Sequence, residues 1–203
     1  MTYRGLILDF GGVVTTDLYA EMSAFCVREG LPPDAVIRVL RDPAEGSEAI
    51  KAVEAGTISQ RDYEVTIAGL LGVDDRDLLI RAFAGLRPRP QVLELIGRAR
   101  SAGIRVALLS NSWGDGDYDP YDRYDLDAMF DAVVISGETG MRKPDPAIYL
   151  LTAGKLGVPA HECVFADDTA ANLPAASALG MATVHFTDEN AAITEISRLL
   201  GIS

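Results

Sequence analysis

Cysteine is nearly absent from this chain of 203 residues, with Cys26 and Cys163 alone supplying thiols. They stand far apart, each inside an apolar-patterned segment, so the sequence predicts two buried free thiols and no disulfide framework. Cations are scarce as well: 18 Lys and Arg face 30 Asp and Glu, for a net charge of −12. That surface repels phosphate backbones and anionic membranes, and no basic stripe offsets it, so neither nucleic acid nor membrane partners are expected. No apolar run reaches the ~20 residues that a bilayer-spanning helix needs. Met1-Thr2-Tyr3-Arg4 leads straight into a strand rather than a signal sequence, which predicts a cytoplasmic protein. Histidine is reduced to the isolated His161 and His185, read as structural. Repeats and low-complexity tracts are missing too. What remains is a chain with 48% hydrophobic residues, enough for one sizeable core.

The hydrophobic pattern changes period along the chain. Gly5-Leu6-Ile7-Leu8 is a short apolar strand that ends at Asp9 and is followed by Gly11-Gly12. From Thr16 to Gly85 the pattern is helical. Leu18, Met22 and Phe25 share one face; Val36, Val39 and Leu40 follow Pro32-Pro33; Ile50 and Val53 follow Ser47; Ser59 with Asp62 resembles a capping box for the stripe Tyr63, Ile67, Leu70 and Leu71. Leu78, Leu79, Ala82 and Phe83 form the last short helix. Arg87-Pro88-Arg89-Pro90 stiffens the return.

From there strand and helix alternate. Continuous apolar runs at 105–109, 132–135, 163–165 and 182–186 read as parallel strands covered on both faces, separated or followed by helices at 90–102, 145–156, 170–179 and 189–200. This order predicts right-handed crossovers and a three-layer α/β sandwich. The segment 16–85 reads as a helical cap inserted into a core made of 1–15 and 86–203.

Polar residues collect at the carboxyl ends of the predicted strands, where ligands bind in open α/β sheets. The first strand ends in Asp9, the second in Ser110-Asn111-Ser112, the fourth in Asp167-Asp168, and Lys143 stands just before a helix in Arg142-Lys143-Pro144-Asp145-Pro146. A carboxylate nucleophile, a hydroxyl, a cation and an acid pair thus share one edge. Three carboxylates brought close together repel, so one is protonated or a cation sits among them. Oxygen-only ligands point to Mg²⁺, which is held by one or two carboxylates together with substrate phosphate. Phosphoryl oxygens would be neutralised by that ion, Lys143, the Ser110 hydroxyl and backbone N–H groups of Phe10, Gly11, Gly12 and Asn111.

Asp9-Phe10-Gly11-Gly12-Val13, Ser110-Asn111, Lys143-Pro144 and Asp167-Asp168 with Asn172 resemble the sequential motifs of the haloacid dehalogenase-like (HAD) hydrolase superfamily. The stretch from Phe165 to Met181 is similar to the N-terminal phosphatase domain of soluble epoxide hydrolase and to bacterial sugar-phosphate phosphatases. The resemblance implies a Rossmann-like parallel core carrying a helical cap, and a Mg²⁺-dependent phosphatase acting on a small phosphorylated metabolite. It implies attack on phosphorus by Asp9, Mg²⁺ bound by Asp9, the Gly11 carbonyl and Asp168, and Asp167 acting as a further or water-bridged ligand. Ser110 and Lys143 would hold phosphate oxygens.

Gly11 departs from the pattern. Family phosphatases usually place a second aspartate there, which protonates the leaving oxygen and later activates water. Such help is typically worth ~10² to 10⁴ in rate, so the missing acid predicts a bias toward good leaving groups. Gly11 also suits two rivals, a metal-independent 2-haloacid dehalogenase and a phospho-ligand-binding pseudo-phosphatase. The acid pair Asp167-Asp168 disfavours the former. Gly11-Gly12 fits no dinucleotide fingerprint.

Asp115, Asp117, Asp119, Asp122, Asp125 and Asp127, interleaved with Tyr118, Tyr121 and Tyr124, read as a solvated loop bordering the site entrance. Pro120 and Leu126 break its likeness to a calcium loop. Substrate choice is expected to lie in the cap, around Asp42 to Ile50. The oligomeric state has no signature in the sequence.

Overall fold

The computed structural model describes residues 3–41, 45–113 and 116–202. Five parallel strands form one sheet among these residues: β1 (Gly5–Leu8), β2 (Arg105–Ser110), β3 (Ala132–Ile135), β4 (Cys163–Asp167) and β5 (Ala182–His185), in the order β3-β2-β1-β4-β5. Every residue of β1 and β4 is buried, which explains why these strands read as unbroken apolar runs rather than alternating ones. Side chains leave a strand on alternate faces, and the core divides accordingly. Leu6 and Leu8 point to one side, Ile7 to the other.

The helices, in chain order, are α1 (Leu18–Arg28), α2 (Ala35–Arg41), α3 (Gly46–Glu54), α4 (Gln60–Leu71), α5 (Leu78–Ala82), α6 (Pro90–Ser101), α7 (Leu126–Met129), α8 (Ser136–Thr139), α9 (Pro146–Leu156), α10 (Leu173–Ala178) and α11 (Glu189–Leu200). Helices α6 and α11 cover the face of Leu6 and Leu8 through Val92, Leu95, Ile96, Ala192 and Ile196. The opposite face packs on α9 and α10 through Ile148, Tyr149, Leu156 and Ala176. The three predicted layers are present. No helix among the described residues is long and apolar enough to cross a membrane.

Helices α1–α5 share a separate hydrophobic cluster containing Met22, Phe25, Val53, Ile67 and Leu78. The Ser59 side chain caps α4, accepting from the Asp62 N–H at 3.1 Å, as the spacing implied. The two chain segments that join these helices to the sheet are tied to each other. Thr16 N–H donates to the Arg87 carbonyl at 2.8 Å, Arg89 N–H donates to Val14 at 2.9 Å, and Thr15 bridges Pro88.

The helix expected over 170–179 is interrupted, with a tight turn at Ala170–Asn172 preceding α10. Pro174 lies in the first turn of α10, where its missing N–H costs nothing. The single-turn helices α7 and α8 are too short to show a period. Both thiols are free and buried, as predicted.

Candidate active site

Strand order changes direction beside β1: β2 lies on one side, β4 on the other. A crevice therefore opens outside their carboxyl ends at this switch point. Leu8 is in register with Leu108 and with Ala166, so Asp9, Ser110 and the Asp167-Asp168 pair arrive at the same edge. The Asp9 N–H donates to Ala166 at 3.0 Å, continuing the ladder by one bond. The chain then bends through a wide turn over Phe10–Val14, closed by the Thr15 N–H donating to the Phe10 carbonyl at 3.0 Å. Gly12, at φ 75°, makes this bend possible, and its N–H donates to the Thr15 hydroxyl at 3.2 Å.

Lys143 is buried to 1% exposure, with its ammonium 2.8 Å from Asp9 Oδ1 and 2.6 Å from Asp167 Oδ2. Asn111 fixes its backbone from both sides, donating to the Lys143 carbonyl at 3.0 Å and accepting its N–H at 2.8 Å. The Asn111 side chain thus holds the lysine in place. Asp167, fully buried, also accepts from Asn172 Nδ2 at 3.1 Å on both oxygens and from the Thr169 N–H at 2.8 Å. Its oxygens are occupied by Lys143, Asn172 and Thr169.

Asp9 differs. Oδ1 accepts from the Phe10 N–H at 2.7 Å and from Lys143, while Oδ2 has no partner among the described residues. One oxygen is therefore anchored while the other is available. Burial pushes the Asp9 carboxyl up to about 8 against the opposing pull of Lys143, and Asp167 and Asp168 add to the rise. For Lys143 burial acts downward, and the two carboxylates more than reverse it, so the ammonium stays charged. Asp168 is raised by burial and by Asp167.

One oxygen each from Asp9, Asp167 and Asp168 lies within 4.8 Å of the others. When all three are ionised they leave, against one ammonium, an excess of negative charge that a divalent cation would balance. The donors are all oxygen, and Asp9 Oδ2 is uncommitted, so the residues present fit a hard cation. Asp9 and Asp168 offer the freer oxygens; those of Asp167 are engaged. A Cβ on Gly12 would lie 2.4 Å from Asp168 Oδ2, so only glycine lets this carboxylate approach the turn.

A cavity of about 330 Å³ opens onto this edge from beneath α1–α5, and Asp9, Phe10, Gly11, Ser110, Asn111, Lys143 and Asp168 border it. Gly12 is buried behind them and is not part of the lining. Of the expected cap determinants, Ile50 lines the cavity, while Asp42 to Ala44 lie outside the described residues. Glu54 of α3 reaches across to Arg142, with nitrogen–oxygen distances of 2.5 and 2.9 Å. Burial raises the Glu54 carboxyl, and Arg142 opposes the rise.

The acidic aromatic loop is amphipathic rather than simply solvated. Asp117, Asp119, Asp122, Asp125 and Asp127 are exposed, whereas Tyr121 is buried and packs at 4.6 Å, and Tyr124 at 5.0 Å, on the Phe10 ring. Phe10 therefore anchors the turn after Asp9. Asp115 lies outside the described residues. Sequence reading missed Thr15, Trp113, Glu54 and Arg142; Glu54 and Arg142 pair across 88 residues of chain. The alternation of Tyr with Asp was a usable signal for inward-facing tyrosines.

The fold and edge define an α/β protein of the doubly wound class with a carboxylate–lysine site at its switch point. The chain belongs to the haloacid dehalogenase-like hydrolases, whose family model matches residues 3–180. It is 29% identical over 159 residues to the sesquiterpene phosphatase astK of Aspergillus oryzae, spanning 76% of this chain and 81% of that protein. It is 26% identical to mouse acyl-CoA dehydrogenase family member 10 across 98% of this chain, and that match spans 19% of the mouse protein. Its fold superposes with a TM-score of 0.68, at 22% identity and covering 90% of this chain and 93% of the other, on a HAD family enzyme from Bacteroides thetaiotaomicron in complex with magnesium and inorganic phosphate.

Proposed function

We propose that this chain is a phosphatase that hydrolyses a small phosphorylated metabolite through a phosphoryl group carried on Asp9. The observation that carries this reading is the buried Lys143 ammonium between Asp9 and Asp167, with Oδ2 of Asp9 left free at the head of a cavity. A lysine fixed beside the attacking carboxylate holds one Asp9 oxygen and faces the equatorial oxygens of a bound phosphoryl group. Asp9 Oδ2 attacks phosphorus and the bond to the substrate oxygen breaks. Ser110 and the backbone N–H groups of Phe10 to Gly12 and Asn111 orient the transferring group. Water then opens the acyl phosphate and regenerates Asp9.

Mg²⁺ is the cation proposed for the carboxylate cluster, held by Asp9, Asp168 and the Gly11 carbonyl with Asp167 behind them; when bound it supplies charge neutralisation for the phosphoryl oxygens. Gly11 leaves the departing oxygen without an acid from that position. Residues 16–85 act as the cap that covers the substrate, and residues 1–15 with 86–203 form the catalytic core. Two unpaired thiols suit a reducing, cytoplasmic setting.

Phosphate release from p-nitrophenyl phosphate tests the reading. Wild type with Mg²⁺ is expected to turn over, EDTA to stop it, and Asp9→Asn to lower kcat by at least about 10³-fold. Halide release from 2-chloropropionate without phosphate release would point to the dehalogenase chemistry instead.

A further inference from the structure

The cavity behind Asp9 is chemically lopsided. Its head carries the charged edge, whereas its body is lined by Leu18, Met22, Ile37, Leu40 and Ile50 from the helices above the sheet. All of these except Met22 are only partly buried, so apolar surface faces the cavity in the middle of the protein. Tyr19 and a cluster of four packed aromatic rings complete the wall. Trp113, from the loop after β2, stacks at 6.4 Å on Tyr63 and at 6.2 Å on Phe83, and Tyr118 packs on Trp113 at 6.1 Å and on Phe83 at 5.9 Å. The Trp113 ring N–H is already spent on the Tyr118 carbonyl at 3.0 Å. Away from the head, Glu54 and Arg142 neutralise each other, and Arg41 is exposed. The polar groups of this wall away from the head are the hydroxyls of Tyr19, Tyr63 and Tyr118 and the Arg41 guanidinium, and the larger apolar area between them suits a hydrocarbon.

We infer that the substrate is the phosphomonoester of a bulky apolar alcohol, whose hydrocarbon part seats against Trp113, Tyr63, Phe83 and the aliphatic wall while its phosphate meets Asp9 and Lys143. This rests on the phosphatase reading of Asp9. In the reaction the Asp9–phosphorus bond forms as the phosphorus–oxygen bond to the alcohol breaks. The departing oxygen takes a proton from water, and a second water releases phosphate from Asp9. Each methylene moved from water into such a wall favours binding by about fourfold, the factor that corresponds to ~0.8 kcal/mol.

Trp113 is the single tryptophan of the chain, so its fluorescence reports directly on the cavity. Titration of the wild-type protein with n-octyl phosphate and with n-octanol is expected to shift that emission saturably, and glucose 6-phosphate to leave it unchanged at the same concentrations. With Mg²⁺, kcat/KM over the series from ethyl to octyl phosphate should climb by two- to fourfold per methylene, mostly through KM, and Ile50→Asp, confirmed folded by circular dichroism, should flatten that slope. A flat wild-type series, or glucose 6-phosphate preferred over octyl phosphate, overturns the inference. Saturable octanol binding without release of phosphate from any ester would instead overturn the phosphatase reading and keep the apolar cavity. No emission change with octanol or octyl phosphate rejects the cavity as the seat of the hydrocarbon, whatever the activity.

Discussion

Gly11 and Gly12 are neighbours with opposite meanings. Gly12 sits at φ 75° with the Asp168 carboxylate where its Cβ would be, so both backbone and space demand glycine. Gly12→Ala is expected to displace Asp168 and weaken Mg²⁺ binding at least about tenfold by calorimetry, a loss of ~1.4 kcal/mol. Gly11 has φ −66° and ψ 127°, an ordinary conformation for any residue, and a Cβ there would meet only Leu18 at 3.5 Å. The missing acid is therefore a chemical choice rather than a steric necessity. Gly11→Asp should fold and raise kcat for alkyl phosphates by about 10-fold or more, part of the usual yield of general acid catalysis, with a smaller gain for aryl phosphates. A folded, Mg²⁺-binding variant without that gain would rule the idea out. Asp9 sets a pH dependence. Its carboxyl is pushed up to about 8, chiefly by burial, so below that pH a proton competes with the metal. Mg²⁺ affinity should rise with pH, by at most about tenfold per unit, and level off above about pH 8. The sign for folding is opposite: this raised group stabilises the metal-free protein fully below its unfolded value near 4, and that contribution is lost as pH rises through about 8. Thermal melts with EDTA across that range should decline with pH, and Mg²⁺ should remove the decline.

Among the elements, the strands were the most legible and the short helices the least. β1 and β4 are buried along their whole length, so burial alone wrote them as apolar runs. The acids at their ends followed from that placement. By contrast α7 and α8 span one turn each, and the tight turn before α10 is only three residues long, too short to write a period. The partnership of Asn111 with Lys143, and of Glu54 with Arg142, joins residues remote in sequence, and no local pattern could announce it. The latter pair ties α3 to the segment that carries Lys143. A double-mutant cycle with Glu54→Gln and Arg142→Gln should give a coupling of about 0.5–3 kcal/mol in thermal or urea unfolding, whereas additive effects would show that the two groups act independently. At the start of α4, Ser59→Ala should cost ~1 kcal/mol of stability with kcat unchanged, as expected of a helix cap that does not line the cavity.

At the scale of the whole molecule, a net charge of −12 coexists with a site proposed to receive an anionic substrate. The local arrangement resolves this: Lys143 is buried at the switch point, and the three carboxylates beside it invite a divalent cation rather than excluding phosphate. Parallel sheet, edge and carboxylate cluster thus converge on one crevice. The sheet order brings Asp9 and Asp168 to a single crevice, and the cavity bordered by residues of α1–α4 opens onto it. In the proposed reaction the phosphoryl group passes through Asp9. Mass spectrometry of protein quenched in acid during turnover of p-nitrophenyl phosphate measures this directly. With Mg²⁺ present, a phosphoryl increment is expected on the peptide containing Asp9, absent in EDTA and in Asp9→Asn. An increment on another residue, or undiminished turnover by Asp9→Asn, would rule out Asp9 as the phosphoryl carrier.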